Sequence, residues 1–226
     1  MKAMILAAGR GERLRPLTDS CPKPLIMAAG KPLIEYHLNH LAKACFSDVV
    51  INHAWLGHML EDKLGDGCRY GLNIKYSAES PALETGGGIK NALPLLTNGD
   101  DDNESFLVVN GDIYIDELPS KSDLVLPKGM LAKLFLVDNP LQHPDGDFSL
   151  NKTKVCTSGN NKLTFSGIGV YHSALFDNSP SGTFALPLLL RAAMDNNLVC
   201  GQHFKSYWCD VGTIDRLQRL EKYLQC

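Results

Sequence analysis

The stretch Lys2-Ala-Met-Ile-Leu-Ala-Ala-Gly-Arg-Gly-Glu-Arg-Leu-Arg-Pro16 decides the fold, because an apolar run passes directly into a loop of glycine and arginine. The run Lys2–Ala8 has the length and composition of a buried β-strand. Gly9 and Gly11 allow backbone N–H groups to approach a phosphate chain without interference from a Cβ atom, and arginine offers forked donors to phosphate oxygens. The stretch therefore predicts a strand that carries an anion-binding loop at its carboxyl end.

Strand and helix patterns alternate through the first half of the chain and continue less regularly in the second. The predicted strands after the first are Asp48–Asn52, Asn73–Ser77, Ser105–Asn110, Met130–Asp138 and Leu163–His172, and the predicted helices are Pro32–Cys45, Leu56–Leu64, Gly86–Leu95, Phe184–Asp195 and Thr213–Leu224. Such alternation indicates a Rossmann-like α/β fold, in which a mixed, mainly parallel sheet is flanked by helices in three α/β/α layers. Ligands of open sheets collect at the carboxyl ends of the strands. No linker divides the sequence, so we expect a single domain over residues 1–226.

The composition is that of a globular protein, and it argues against several functional classes. The 226 residues carry a formal net charge of −3 and no block of Lys or Arg, so the chain lacks the electrostatic footprint of a nucleic-acid-binding protein. No segment approaches the roughly 18 apolar residues of a membrane span, and the N-terminal apolar stretch is too short for a secretion signal. We expect a cytoplasmic monomer or small homo-oligomer that binds a small nucleotide and neither nucleic acid nor membrane.

Two further patterns are interpreted as structurally ordinary. The seven cysteines are scattered, odd in number and without a C-x-x-C pair, which is typical of reduced thiols rather than of disulfides or a zinc site. The polar run Thr97–Ser105 contains Asp100, Asp101 and Asp102, and it is interpreted as a solvated loop rather than a metal cluster.

The glycine-arginine loop alone does not define the chemistry. Leu14 stands where a dinucleotide-binding G-x-G-x-x-G fingerprint requires its third glycine, and no G-K-[ST] follows as in a P-loop. For this segment alone, a tight turn with exposed arginines remains an alternative. The sequence Pro22-Lys-Pro24 narrows the choice, because two prolines fix the chain on either side of Lys23 and aim its cation at low entropic cost.

The combined pattern Leu6-Ala-Ala-Gly-x-Gly-x-Arg-Leu-x-Pro-Leu-Thr18 and Pro22-Lys-Pro24 resembles the signature of the sugar-phosphate nucleotidyltransferase family. The resemblance implies that Arg13 holds the departing β- and γ-phosphates and that Lys23 contacts the α-phosphate, so both are candidate catalytic residues. The nucleotide-binding set that it implies is Ala7, Ala8, Gly9, Gly11, Arg13, Lys23, Glu79, Thr85 and Gly86.

The segment Glu79–Gly88 corresponds to the part of the family that lines the nucleobase. Family members usually carry a glutamine before a glycine-threonine turn, and Glu79 occupies about that place here. Its carboxylate can accept a hydrogen bond from uracil N3–H or from guanine N1–H, so the base is left open. Thr85 can cap the following helix or bond the base, and Gly86 opens that helix. A turn that packs a helix is the alternative explanation of the glycines.

Two carboxylates are candidate metal ligands and catalytic residues. Asp112 follows the strand Ser105–Asn110 at the predicted sheet edge, and Asp210 lies in Tyr207-Trp-Cys-Asp-Val-Gly-Thr213, just before a helix. An isolated aspartate in that position can equally be an N-cap. The pair resembles the family's two metal ligands, and Mg²⁺ is commonly held by one or two carboxylates together with substrate phosphates. The resemblance therefore implies Mg²⁺ as cofactor, held by Asp112 and Asp210.

The second half departs from the hexose-1-phosphate nucleotidyltransferases, since Lys152-Thr-Lys-Val-Cys156 stands where they usually carry Glu-Lys-Pro. The segments Asn139-Pro-x-x-His-Pro-x-Gly-Asp-Phe148 and Phe165-Ser-Gly-Ile-Gly-Val-Tyr171 resemble instead the N-acetylmuramate-1-phosphate uridylyltransferases of bacterial cell-wall recycling. That resemblance implies that UTP and N-acetylmuramate α-1-phosphate give UDP-N-acetylmuramate and pyrophosphate. The predicted sugar-phosphate contacts are Gly146, Asp147 and Gly167.

Alternatives to the acceptor assignment stay open. A turn and a glycine-spaced strand explain Gly146 and Gly167 without a ligand. A mannose- or glucose-1-phosphate nucleotidyltransferase would use GTP, dTTP or UTP, and a non-catalytic sugar-nucleotide-binding protein is a further possibility. In the favoured interpretation, residues 1–112 form mainly the nucleotide-binding half and residues 113–226 mainly the sugar-binding half.

Overall fold

The computed structural model describes residues 1–98 and 104–225. The strands, in chain order, are β1 (Ala3–Leu6), β2 (Met27–Ala28), β3 (Lys31–Pro32), β4 (Asp48–His53), β5 (Asn73–Ala78), β6 (Ser105–Asn110), β7 (Ile113–Ile115), β8 (Ala132–Val137), β9 (Phe148–Asn151), β10 (Lys154–Cys156), β11 (Lys162–His172), β12 (Val199–His203) and β13 (Trp208–Asp210). The α-helices are α1 (Leu33–Lys43), α2 (Gly57–Leu64), α3 (Glu84–Leu96), α4 (Leu186–Asp195) and α5 (Ile214–Leu224).

Nine strands form one mixed sheet in the order β5-β4-β1-β6-β11-β8-β12-β10-β9. The strands β5, β4, β1 and β6 run parallel, with Ile5 of β1 opposite Ile51 on one side and Val109 on the other. The long strand β11 is antiparallel to both of its neighbours β6 and β8, whereas β12 is parallel to β8. Two short antiparallel pairs, β13 with β7 and β2 with β3, lie outside this sheet. The predicted α/β class with a mixed sheet is confirmed, but the sheet is not mainly parallel, because the pairs from β6 to β8 and from β12 to β9 are antiparallel.

The alternation of side chains along the central strands divides the core between the two faces of the sheet. Ala3 and Ile5 of β1 are buried in a cluster with side chains of α1 and α2. Met4 points to the opposite face and is buried with side chains of α3 and α4. A third cluster holds α5 against Tyr114 and Val211. Helices therefore cover both faces of the sheet, as the predicted three layers require.

Each predicted strand and helix is present among the described residues, with ends that shift by at most two residues. The strands that were not predicted, such as β7 and β13, have between two and five residues, too few to show a periodic pattern. Residues 99–103, which include most of the predicted loop at Thr97–Ser105, lie outside the described residues. None of the described helices combines the length and apolar character that a bilayer crossing requires.

Candidate active site

A cleft of about 630 Å³ opens at the carboxyl ends of β1, β4 and β6, within the range of roughly 300–1,000 Å³ that small-molecule sites occupy. Parallel strands place their carboxyl ends, and the loops that follow them, at one edge of a sheet. The residues that line the cleft are Leu6, Ala7, Ala8, Gly9, Arg10, Gly11, Glu12, Arg13, Lys23, Pro24, Asn52, Ala82, Glu84, Thr85, Asn110, Gly111, Asp112 and Gly212.

The glycine-arginine loop leaves β1 and forms one wall of the cleft. Gly11 has a φ of +69°, and a Cβ atom added there would lie 3.0 Å from the Thr18 side chain and 3.1 Å from Cβ of Lys23. A side chain at this position would be both conformationally strained and crowded. The Gly11 carbonyl accepts hydrogen bonds from Leu14 N–H and from the Thr18 hydroxyl. The loop is therefore a tight turn that packs directly on the stem of Lys23.

Arg10 braces the same loop from the outside. Its guanidinium carbon lies 3.9 Å from the centroid of the Trp55 ring, and its Nη1 donates to the Thr18 carbonyl over 2.7 Å. The Trp55 indole N–H donates to the same carbonyl over 3.1 Å. Stacking of arginine on an indole face adds a cation–π attraction. Both side chains thus hold the loop in place, and sequence reasoning gave neither of them a role.

Lys23 and Asp112 meet across the cleft. Lys23 is buried, and its Nζ donates to Asp112 Oδ2 over 2.7 Å. Gly111 brings Asp112 to this position, because its N–H donates to the Leu6 carbonyl over 2.8 Å and turns the chain across the end of β1. The predicted lysine and the first predicted carboxylate are therefore in direct contact.

The second predicted carboxylate, Asp210, comes from the far end of the chain and lies beside the cleft, next to the lining residue Gly212. Strand β13 pairs with β7 so that Asp210 lies opposite Ile113, and Val211 N–H donates to the Asp112 carbonyl over 2.8 Å. Arg216 of α5 donates to Asp210 Oδ2. A Cβ atom at Gly212 would lie 2.9 Å from Asp210 Oδ1, 2.8 Å from Nη2 of Arg216 and 3.0 Å from Nη2 of Arg13. The charged groups of the amino-terminal loop and of the carboxyl-terminal segment thus converge at this glycine.

Arg13 keeps its cation available to the cleft. The side chain is exposed, and in residues 1–98 and 104–225 no carboxylate lies within ion-pair distance of it. A guanidinium in that position can bind an anionic ligand without first breaking an internal ion pair.

The two carboxylates have the chemistry of a site for a hard divalent cation. Asp210 Oδ1 is buried, and it has no hydrogen-bond partner in the part of the chain that the structure describes. A buried polar atom in that situation is costly unless a ligand satisfies it. Within the same residues no cluster of three or more His, Cys, Asp or Glu side chains could hold a metal ion. A cation held by Asp112 and Asp210 would therefore take its other ligands from phosphate or water, as Mg²⁺ commonly does.

His37 supports the segment that follows Asp112 from below. Its Nε2 lies 2.8 Å from the Ile113 carbonyl, which fixes Nε2–H as the donor. Burial lowers the pKa of His37 to about 4, and the hydrogen bond to Ile113 opposes that shift only in part. The imidazole is therefore neutral at physiological pH, and it adds no positive charge beneath the site.

Glu79 and Gly86, two members of the predicted nucleotide-binding set, do not line the cleft. Glu79 is buried, with one carboxylate oxygen bonded to Asn52 and the other to Leu83 N–H. A Cβ atom at Gly86 would lie 2.4 Å from the Phe184 ring, so this glycine packs α3. The structure thus places the Glu79 carboxylate behind the residues that line the cleft, where each of its oxygens accepts one internal hydrogen bond.

Thr85 does line the cleft, but its hydroxyl does not cap its own helix. The Thr85 hydroxyl oxygen accepts a hydrogen bond from Leu186 N–H over 2.9 Å, at the start of α4. The residue therefore holds two helices together at the edge of the cleft.

The three predicted sugar contacts divide in the structure. Gly167, with a φ of +82°, lies in a bulge of β11, and its Cα faces Asn110, which lines the cleft. Gly167 itself does not line the cleft, and neither do Gly146 and Asp147. Asp147 Oδ2 accepts from Phe165 N–H over 2.8 Å, and Oδ1 lies 3.1 Å from Nε2 of His143. Gly146 and Asp147 thus make hydrogen bonds within the loop and to β11. This arrangement fits the alternative in which the segment is a turn without a ligand.

Sequence reasoning also missed Asn52 and Arg216. Asn52 follows three apolar residues of β4, and that position would have been a usable signal because it marks the carboxyl edge of the sheet. Arg216 follows the helix-capping Thr213 by three residues. Its side chain folds back to the Thr213 hydroxyl over 3.2 Å and to Asp210, a contact that no local pattern indicates.

Comparisons with known proteins agree with this geometry. A sequence profile described as Nucleotidyl transferase matches residues 2–126. The N-acetylmuramate alpha-1-phosphate uridylyltransferase of Neisseria meningitidis serogroup B is 51% identical, over 98% of this chain and 97% of the relative. The protein of the same name from Caulobacter vibrioides is 34% identical, over 93% of this chain and 91% of the relative.

A solved structure supports the fold independently of close sequence similarity. A putative glucose-1-phosphate thymidylyltransferase from Bacillus anthracis superposes with a TM-score of 0.85 at 21% identity, covering 99% of this chain and 94% of that one. At this identity the likeness speaks for the fold alone. Together with the profile match and the full-length relatives, it leads to one conclusion: the chain belongs to the nucleotidyl transferase family.

Proposed function

We propose that the protein transfers the uridylyl group of UTP to N-acetylmuramate α-1-phosphate, giving UDP-N-acetylmuramate and pyrophosphate. The observation that carries the proposal is the 51% identity that extends over 98% of the chain to a protein named for this activity. The cleft at the carboxyl edge of the sheet supports it, because it combines backbone donors and cations with the Asp112 carboxylate, and Asp210 lies next to the lining residue Gly212. The reaction belongs in the cytoplasm, where UTP is available.

The nucleotide enters the half formed mainly by residues 1–112. We assign the triphosphate to the glycine-arginine loop, where Arg13 is free to bind the departing β- and γ-phosphates. Lys23 lies behind that loop and is assigned to the α-phosphate. The nucleobase is assigned to the space between Ala8 and the segment Ala82–Thr85, where Ala82, Glu84 and Thr85 line the cleft.

The chemistry requires alignment and charge neutralisation rather than a strong base. The acceptor phosphate is already anionic, so one of its oxygens can attack the α-phosphorus directly. A new P–O bond forms there, while the bond from the α-phosphorus to the α,β-bridging oxygen breaks and pyrophosphate leaves with that electron pair. Lys23 and Arg13 stabilise the charge that develops on the transferred group and on the leaving group.

Asp112 and Asp210 are the residues that would hold a divalent cation, and we propose Mg²⁺. When bound, the cation neutralises phosphate charge and helps to orient the triphosphate. Arg216 fixes one oxygen of Asp210 and leaves Oδ1 directed to the site.

The acceptor is assigned to the half formed mainly by residues 113–226, next to Gly167 and Asn110. This assignment is based on the bulge of β11, where the buried Gly167 packs against Asn110, a residue that lines the cleft. Gly146 and Asp147 act indirectly, because they stabilise the loop that precedes β9.

A grid of substrates tests the proposal. The purified protein with Mg²⁺ is given UTP, GTP or dTTP together with N-acetylmuramate α-1-phosphate, glucose 1-phosphate or mannose 1-phosphate, and pyrophosphate release is followed. We expect the highest kcat/KM for UTP with N-acetylmuramate α-1-phosphate. A preference for a neutral hexose phosphate would contradict the acceptor assignment. Nucleotide binding without pyrophosphate release from any pair would favour the non-catalytic alternative.

A further inference from the structure

Three hydrogen bonds connect the walls of the cleft beneath its surface. Ala7 N–H donates to Asn52 Oδ1 over 2.8 Å, and Asn52 Nδ2 donates to Glu79 Oε1 over 2.6 Å. Leu83 N–H donates to Glu79 Oε2 over 2.7 Å. These bonds, here called the Glu79 relay, join the ends of β1 and β4 to the loop that precedes α3.

The relay is buried and internally consistent. Glu79 is 7% exposed and Asn52 is 2% exposed, so each unmade hydrogen bond would leave a polar group without water. The amide of Asn52 can point only one way, because Ala7 N–H requires an acceptor and the carboxylate requires a donor. The position of Ala7 is therefore set by Glu79 through Asn52.

Helix α3 packs directly against the Glu79 relay, so the side chains of Glu79 and Asn52 have little room to move. A Cβ atom at Gly88 would lie 2.5 Å from Glu79 Oε1 and 2.8 Å from Asn52 Nδ2. Only glycine allows this approach. The third glycine of the Gly86–Gly88 run thus has a specific role, in which it seals a buried polar connection rather than binding the ligand.

We propose that Glu79 is a positioning residue for the nucleotide. Glu79 does not line the cleft. It holds the lining residue Ala7 through Asn52 on one wall, and on the other wall it holds Leu83, which precedes the lining residue Glu84. Displacing either wall would misplace the contacts to a bound nucleotide. The inference rests on the proposed function in one respect, namely that the cleft binds UTP.

A pair of reciprocal substitutions tests the relay. In Glu79→Gln, the NH₂ group of the introduced amide faces another donor, either Nδ2 of Asn52 or the N–H of Leu83. In Asn52→Asp, a carboxylate oxygen at position 52 faces a carboxylate oxygen of Glu79. The double variant restores every bond with the 52–79 hydrogen bond reversed. The carboxylate introduced at position 52 would accept from Ala7 N–H and from the amide introduced at position 79, and the oxygen of that amide would accept from Leu83 N–H. We expect each single variant to weaken UTP binding by about tenfold or more, because a buried polar group at the cleft wall then lacks its partner, and the double variant to recover most of that loss.

Three readouts separate positioning from general stability. The Kd and KM for UTP should rise in the single variants, while kcat at saturating UTP changes far less; a purely structural role would lower Tm and kcat together. Amide hydrogen exchange at Ala7 should accelerate in both single variants and slow again in the double variant, with no nucleotide present. The matched control is Glu61→Gln. Glu61 does not line the cleft, and its carboxylate lies 2.7 Å from Nε2 of His53. This substitution should leave the Kd for UTP unchanged.

The outcomes are distinct. Recovery of UTP affinity and of Ala7 protection in the double variant supports the proposal. It is overturned if Glu79→Gln binds UTP as tightly as the wild type, or if the double variant is as weak as the single ones. A wild-type protein that bound no UTP would instead overturn the proposed function.

Discussion

The glycine-arginine loop, residues 9–15, and the acceptor loop, residues 139–147, both place charged residues beside glycine, yet they use these residues in opposite ways. In the first, Arg13 is exposed and has no ion-pair partner among the described residues. In the second, the Asn139 amide donates to two carbonyls within and beside the loop, and Asp147 is bonded to Phe165 N–H. A charged residue beside a glycine therefore indicates a ligand only where the fold leaves its polar atoms unused.

The largest effect is expected at Asp112, which lines the cleft and is paired there with Lys23. Asp112→Asn should lower turnover by about a thousandfold or more, since charge stabilisation in a preorganised site contributes effects of this size. The protein should stay folded, because Asp112 is half-buried at a cleft and the amide oxygen introduced at position 112 can still accept from the buried Lys23. Initial rates of pyrophosphate release, with circular dichroism as the control for folding, check this. An Asp112→Asn protein with wild-type activity would show that the charge of Asp112 at the cleft is not needed for turnover.

A second prediction concerns stability beneath the same region. The pKa of His37 is lowered to about 4 from its ordinary value of 6.5, first by burial. Between about pH 6.5 and pH 4, His37 is protonated in the unfolded chain but stays neutral in the folded chain. The free energy of unfolding therefore decreases as the pH falls through this range, by about 3 kcal/mol in total. Urea unfolding at several pH values should show this loss. In His37→Gln, which keeps a donor for the Ile113 carbonyl, the slope should flatten; an unchanged slope would contradict the assignment.

Arg216 offers a sharper test of how Asp210 is held. Arg216→Met removes the donor to Asp210 Oδ2, and loss of a partner that orients a ligand typically costs about 10- to 100-fold in activity or metal affinity. Arg219→Met is the matched control, because Arg219 pairs with Asp215 in an exposed i,i+4 position and such pairs contribute little. Equal activities of the two variants would show that Asp210 needs no such support.

The smallest effect should appear in the acceptor loop, and as stability rather than rate. Asp147→Ala leaves Phe165 N–H without its acceptor, which should cost about 1–2 kcal/mol of unfolding free energy. The kcat/KM of the folded protein should stay close to that of the wild type, measured at a temperature well below Tm. A large loss of affinity for the sugar phosphate with unchanged stability would restore Asp147 as a direct contact.

The sequence predicted the main elements because each of them is long enough to carry a periodic pattern. It also predicted which residues meet at the cleft, since Asp112 and the glycine-arginine loop both follow buried strands. The short strands β7 and β13, which bring Asp210 to Asp112, carry no such pattern. Their pairing depends on contacts between distant parts of the chain.

The direction in which a side chain faces could not be predicted in the same way. Glu79 and Gly86 lie in the predicted segment, but packing of α3 turns them inward, and the amide and backbone donors around Glu79 occupy its carboxylate. Arg216 was missed for a related reason, because its partner Asp210 becomes a neighbour only through the geometry of the turn before α5. Local patterns indicate where a site lies, whereas tertiary contacts decide which atoms remain available in it.

The most direct test of uridylyl transfer in this cleft counts both products of one reaction. Wild-type protein and Asp112→Asn are incubated with UTP, Mg²⁺ and N-acetylmuramate α-1-phosphate, and mass spectrometry quantifies UDP-N-acetylmuramate while a coupled assay quantifies pyrophosphate. The wild type is predicted to form the two products in equal amounts, and Asp112→Asn to form neither while remaining folded. Pyrophosphate without the nucleotide sugar, or product formation by Asp112→Asn at the wild-type rate, would contradict the account.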